Sequence, residues 1–269
     1  MLTDVLQQLP TARDGALPRR HVHGHAPHPI LATWFTPEAP GPATLAAHAL
    51  LSGCGGWWTD RPVAPRAALL HCGPHRVLRG DPRFLDPEQL APLGRGQFDA
   101  PDRFLPLLGR TFSPVMPWVR LVCTQQDPPR PVRLPDGVRV RPLAASDTPH
   151  LDRLDPRSEW ISETWGSGRA LADCGNAWGA FADGQLVSVA CTYLRGLAHE
   201  DVAVVTAPPY RRLELGLACV SGVTSAIRAR GRTPTWTVPR SNEPSLLLAE
   251  AAGFRAVRTE VAYWVGPAA

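Results

Sequence analysis

The chain has 269 residues, 44% of them hydrophobic, with a formal net charge of +4 and a pI near 8.9. This length can bury one large core or two modest ones and favours two domains. All 28 basic residues are arginine, which removes lysine Schiff-base chemistry, and their scatter along the chain argues against a nucleic-acid stripe. No stretch approaches a membrane span, and Met1–Asp4 lacks a basic region followed by an apolar run, so no membrane partner and a cytoplasmic location are expected.

In the front half, His21, His23 and His25 alternate and would place three imidazoles on one side if extended. No carboxylate or cysteine shares that stretch, and Pro27, His28 and Pro29 read as loop, so no metal is expected. Gly53-Cys54-Gly55-Gly56 lacks a strand-then-helix context and reads as a turn. Arg66–Cys72 and His75–Gly80 read as a hairpin, and Pro87–Leu93 and Asp102–Leu108 as short helices. The six cysteines stand singly without a Cys-x-x-Cys pair, the pattern of buried thiols rather than of a disulfide scaffold or zinc knuckle. Residues 125–137 hold Pro128, Pro129, Pro131 and Pro135 among polar neighbours, which excludes a helix or central strand and reads as a linker. The expected domains are therefore 1–124 and 138–269.

Beyond the linker, Val138–Arg141 reads as a strand, and Ser146 or Asp147 can cap a helix running through His150, Leu151 and Leu154. A hairpin follows over 177–194, with Asp183-Gly184 as its type I′ turn. Asp201–Thr206 is a β-branched strand. The helix 215–230 carries Leu217, Val220, Val223 (or Thr224) and Ile227 in one apolar stripe and stops at Gly231; Arg228, Arg230 and Arg232 near its end read as a solvated face favourable to the dipole. Thr233–Val238 is a strand, Ser245–Ala252 a short helix ended by Gly253, and Val257–Val265 a closing strand of alternating apolar residues.

The informative segment is the strand 201–206 followed by Pro208-Pro209-Tyr210-Arg211-Arg212-Leu213-Glu214-Leu215-Gly216 and the helix. A strand ending in a turn that opens a helix presents orphan N–H groups and a positive dipole end to an anion. With Trp236, Asn242, Ser245 and Gly253-Phe254 downstream, this order resembles the GNAT superfamily of acetyl-CoA-dependent N-acetyltransferases over about residues 138–265. The family loop Arg-x-x-Gly-x-Gly (or Ala) reads here Arg211 to Gly216, with Glu214 in place of the central glycine. Length and element order also resemble the branch that carries an extra front domain and includes antibiotic self-resistance acetyltransferases.

The resemblance implies an α/β (α+β) fold: a mixed, mostly antiparallel twisted sheet flanked by helices, preceded by a smaller, degenerate α/β domain. It implies acetyl-CoA as cofactor, a small-molecule amine as partner, and direct acetyl transfer. Val204, Val205, Thr206, Arg211, Arg212, Leu213, Glu214, Leu215, Gly216, Asn242 and Ser245 fall on the cofactor side. Asp201, with Glu200 beside it, falls where relatives place the carboxylate that receives the amine proton, and their alternative reading is strand-edge charges in solvent. The position of the family's tyrosine acid is Ala249, which leaves Tyr193 or Tyr210, water, or an unassisted thiolate. Trp160, Glu163 and Trp165 are candidates for a substrate wall. Glu214 and Ala249 also admit a binding or scaffold protein on a decayed fold, and an amino-acid N-acyltransferase, passing a longer acyl group from its CoA thioester to glycine or another small acid, would fit the same cofactor face.

Overall fold

The computed structural model describes residues 34, 35 and 39–267. They divide into two compact units, one of residues 34, 35 and 45–120 with 260–267, the other of 39–44 with 121–259. Among the described residues no helix is long and apolar enough to cross a membrane. The His21–His25 stretch lies outside them.

The first unit begins with α1 (Leu45–Ser52), β1 (Gly56–Thr59), β2 (Ala67–Cys72) and β3 (His75–Gly80), continues through α2 (Pro87–Leu90), β4 (Gly96–Asp99) and α3 (Leu105–Thr111), and enters β5 (Val115–Gln125). The expected hairpin is β2–β3, and the expected short helices are α2 and α3 with their flanking 3-10 turns. The glycine run read only as a turn leads directly into β1. A Cβ on Gly56 would stand 2.4 Å from the His71 ring, so the missing side chain is what lets β1 approach β2. β3 and β4 run parallel for the residues 75–77 and 97–99. Leu69, Leu78, Phe98, Phe104 and Phe112 fill the core of this unit.

The second unit contains β6 (Val138–Pro142), α4 (Thr148–Leu151), a 3-10 helix over Pro156–Trp165, α5 (Gly168–Asp173), β7 (Ala177–Ala182), β8 (Gln185–Arg195), β9 (His199–Thr206), α6 (Leu215–Ala229), β10 (Thr233–Pro239), α7 (Glu243–Ala251) and the start of β11 (Phe254–Val265), whose residues from Glu260 onward belong to the first unit. Its strands lie in the order β5-β10-β9-β8-β7-β6. The β6–β7, β7–β8 and β8–β9 pairs are antiparallel and β9–β10 is parallel, as a crossover through α6 requires. This is a mixed α/β fold with a mostly antiparallel sheet flanked by helices. Asp183 (φ 49) and Gly184 (φ 75) have the two positive φ values of a type I′ turn.

The stripe Leu217, Val220, Val223 and Ile227 is buried against Ala180, Ala190 and Val202. Gly222 lets α6 lie flat on Trp178: a Cβ there would stand 2.4 Å from the indole. The proline-rich segment differs from a bare linker. Val132 and Leu134 pack on the second unit's core, and the N–H groups of Gln126, Asp127 and Arg130 reach carbonyls of Gly253 and Ala251. Prolines exclude helix and ladder, but the intervening side chains and amides still anchor the segment. The units divide at Arg120/Leu121, inside β5.

Candidate active site

The site is built on the separation of β9 from β10. Their parallel pairing covers only His199–Asp201 against Thr233–Thr235, and the backbone ladder between the two strands ends there. Ala207 donates to the Val187 carbonyl, which fixes the alternation along β9. Ala203 and Val205 bond toward β8, and Val202, Val204 and Thr206 turn their N–H and C=O groups toward the β10 side. Of the two candidate donors Val204 and Val205, the first therefore faces the notch.

At the wide end of the notch the chain passes through the 3-10 turn Pro208–Tyr210 into the loop 211–214 and α6. Arg212 (φ 63) and Glu214 (φ 58, ψ 10) are both left-handed, so the loop keeps the backbone that a glycine would take at 214. A Cβ on Gly216 would stand 3.2 Å from Thr206 Oγ1 and 3.5 Å from Val204 and Leu248 side chains. Arg211, exposed, donates from Nε to the Thr206 carbonyl at 3.3 Å, and Arg212 and Leu213 are exposed beside it. Glu214 pairs with Arg130 at 2.5 Å, drawn outward by an arginine of the proline-rich segment. Nothing in the sequence marked Arg130 as a partner, because the pairing spans 84 residues.

On β10 and α7 the cofactor-side candidates are engaged in structure. Asn242 is the N-cap of α7, accepting from the Ser245 N–H at 3.3 Å, and Ser245 Oγ accepts from the Trp236 indole at 3.1 Å. Ala249 is buried in the core of this unit. Leu215 is likewise buried core.

The narrow end carries the carboxylates, and neither is a solvent-exposed strand-edge charge. Glu200 is fully buried, accepting from Thr192 at 2.6 Å, from Arg230 at 2.7 and 3.1 Å and from Arg232 at 2.6 Å. Burial raises its pKa and these donors more than offset that, leaving it below the usual glutamate value. A carboxylate so enclosed cannot receive an acceptor's proton, which corrects its place among the catalytic candidates. The arginines read as a solvated face are this clamp, and Arg228 bonds Gln125. Asp201 points to the opposite face of β9, 5% exposed, with Thr235 (2.7 Å) and Thr237 (3.1 Å) both donating to Oδ1. The alternation Thr235-x-Thr237 placed both hydroxyls on one strand face, a signal legible in advance.

On that same face the β8–β9 register shifts between Thr192 and Leu194, which leaves Tyr193 as a bulge residue next to Asp201. The exposed Trp160 ring stands edge-on to Tyr193 at 5.6 Å. Glu163, exposed on the same 3-10 helix, has its carboxyl raised by desolvation and then by Glu159. Trp165 is buried, its indole donating to the Thr192 carbonyl at 2.8 Å, so it belongs to the core and not to a substrate wall. Trp160 and Tyr193 stand together; Tyr210 lies at the other end of β9.

Residues 132–263 match the sequence model of the GNAT acetyltransferase family. An uncharacterized N-acetyltransferase in the mutA 5′ region of Streptomyces virginiae is 43% identical over 221 residues, covering 81% of this chain and 92% of that one. That alignment is longer than the family match, so the likeness extends beyond residues 132–263. Among solved structures, a GCN5-related N-acetyltransferase-like protein from Streptococcus suis superposes with a TM-score of 0.68 at 20% identity, over 88% of this chain and 97% of that one. A tandem GNAT protein from the clavulanic acid biosynthesis pathway gives 0.55 at 13% identity, over 84% and 89%. Identity to a relative across most of both chains, on a sheet that opens beside a helix N-terminus, places this chain in the GNAT acetyltransferase family.

Proposed function

We propose that the protein transfers the acetyl group of acetyl-CoA to an amine of a small molecule by direct attack. The observation that carries this reading is the three-residue pairing of β9 with β10, which leaves the Val204 N–H aimed into a notch beside the N-terminus of α6. The cradle suits a pyrophosphate: its backbone is left-handed at Arg212 and Glu214, and Gly216 leaves open the space a Cβ would fill against Thr206 and Val204. Arg211, Arg212 and the N–H groups opening α6 would hold the phosphates. Bound there, acetyl-CoA supplies an activated acetyl group.

The chain's own residues divide the remaining work. The Val204 N–H is a fixed donor suited to polarising a carbonyl, and because it is backbone, the apolar side chains of β9 do not disable it. Asp201, across the sheet from α6, attracts a cationic amine toward the notch and takes its proton directly or through water. Tyr193 stands beside it as candidate acid for the departing thiolate, whose ordinary pKa of about 8.5 makes that assistance modest. Trp160 offers an aromatic wall on the acceptor face. The left-handed backbone kept at Glu214 supports a working cradle over a decayed one.

Calorimetry with acetyl-CoA, longer acyl-CoAs and free coenzyme A tests the cofactor half of this reading. Binding of acetyl-CoA is expected, and no heat at millimolar ligand would remove it. A panel of primary amines, scored by coenzyme A thiol release, tests the acceptor half.

A further inference from the structure

The turn Gly41–Thr44 lies far upstream of the GNAT motifs in sequence, yet belongs to the second unit and lies against β8, β9 and β10. Gly41 is buried with φ +79, a backbone that side chains rarely adopt. A Cβ built on it would stand 2.8 Å from a Val122 methyl and 2.9 Å from the Thr237 hydroxyl. Thr44 closes the turn by donating to the Gly41 carbonyl at 2.8 Å, and its side chain packs on Gly196, just before β9, where a Cβ would stand 3.0 Å from the Thr44 methyl and 2.4 Å from the His199 carbonyl. The turn is thus held in a single place by backbone conformation and by contact on both sides.

Its neighbour gives that placement a consequence. The Thr237 hydroxyl that Gly41 abuts donates to Asp201 Oδ1, the same oxygen that receives Thr235. Contact therefore runs from Gly41 through Thr237 to the carboxylate proposed to serve the amine, on the sheet face that also carries Tyr193 and Trp160. The geometry points to the Gly41–Thr44 turn as a wall of the acceptor side, with Gly41 and Thr237 as positioning residues that set where the Asp201 carboxylate stands. This deepens the acetyltransferase reading and rests on it. The turn lies on the opposite face of the sheet from α6, so disturbing it should change how an amine is received and leave the cofactor cradle alone.

The test uses the full chain with Thr237→Val, which keeps the shape and deletes the hydroxyl, Thr237→Ser, which restores it, and Gly41→Ala. Thr237→Val is expected to lower kcat/KM for the amine by about tenfold, the scale of one hydrogen bond to a charged group. Acetyl-CoA affinity by calorimetry should stay within about twofold of the parent. Thr237→Ser should recover most of the loss, which a purely structural role would not require. Gly41→Ala should raise KM for the amine in the same direction, and if that variant does not fold, the Thr237 pair decides alone. Parent-like turnover in Thr237→Val, or an equal loss of cofactor and amine binding, would overturn the inference. A parent chain that binds acetyl-CoA but acetylates no amine overturns the acceptor reading and this inference with it, whereas a parent that binds no acetyl-CoA overturns the cofactor reading first.

Discussion

Glu214 is the residue where the chain departs most from its family and where the structure says most about the cost. Its φ of 58 is glycine's territory, and a side chain there costs roughly 1 to 2 kcal/mol. The Arg130 ion pair recovers little, since both partners are substantially exposed. Glu214→Gly should therefore tighten acetyl-CoA binding about fivefold, and Glu214→Gln should give part of that gain by removing charge alone. Calorimetry reads both, and unchanged or weaker binding in Glu214→Gly would show that the loop does not face the pyrophosphate. Arg211→Ala should weaken binding by about tenfold or more, while Arg139→Ala, exposed on β6, serves as the neutral control. The two neighbouring carboxylates should separate cleanly. Asp201→Asn is expected to slow amine turnover with acetyl-CoA affinity intact. Glu200→Gln strands two arginines in a buried clamp, so its expected effect is a lower Tm.

At the scale of elements, α6 was the most legible part, because a 3.6-residue period with an anion-cradle start and a glycine stop specifies a helix without knowledge of its partners. The Asp183-Gly184 turn was legible for the same reason, its chemistry being local. The notch was not. That β9 and β10 part company after Asp201, and that Tyr193 bulges, depend on register between strands far apart in sequence, which no local pattern carries. The proline-rich segment misled in the other direction, since prolines advertise what a chain cannot form and say nothing of Val132 and Leu134 settling on a core. The flat contact of α6 on the sheet yields its own test. Gly222→Ala puts a methyl into the Trp178 ring, forcing helix or indole to move, and should cost about 1 to 3 kcal/mol, visible as a lower urea midpoint. An unchanged midpoint would mean that the helix slides without loss.

At the scale of the whole molecule, His75 and Glu200 both tie stability to pH in the same direction. Burial, then Arg120, Arg76 and His48, press the His75 imidazole down from 6.5 to about 3, so the folded chain keeps it neutral while the unfolded chain protonates it. Stability should therefore fall as pH drops from 6.5 toward 3. Glu200, held below its ordinary 4.5, adds a further loss below that value. Urea midpoints measured from pH 7 to pH 4 should decline, and less steeply in His75→Gln. The division of the chain also bears on what can be cut from it. A boundary at the proline-rich segment suggests that residues 136–269 would stand alone, but the second unit takes Leu121–Gln125 of β5 and the Gly41–Thr44 turn from upstream. Cys123 lies in its core, and Gln125 donates to the Ala252 carbonyl at 2.9 Å while accepting from Arg228 at 2.8 Å. Without that strand β10 becomes an exposed edge, and the buried faces of α6 and α7 lose their cover. The fragment 136–269 is therefore expected to aggregate or to unfold without a cooperative transition in tryptophan fluorescence, where the full chain shows one. A monomeric fragment with a sharp urea transition and parent-like acetyl-CoA affinity would prove the upstream strand dispensable, and would place the working boundary at the prolines after all.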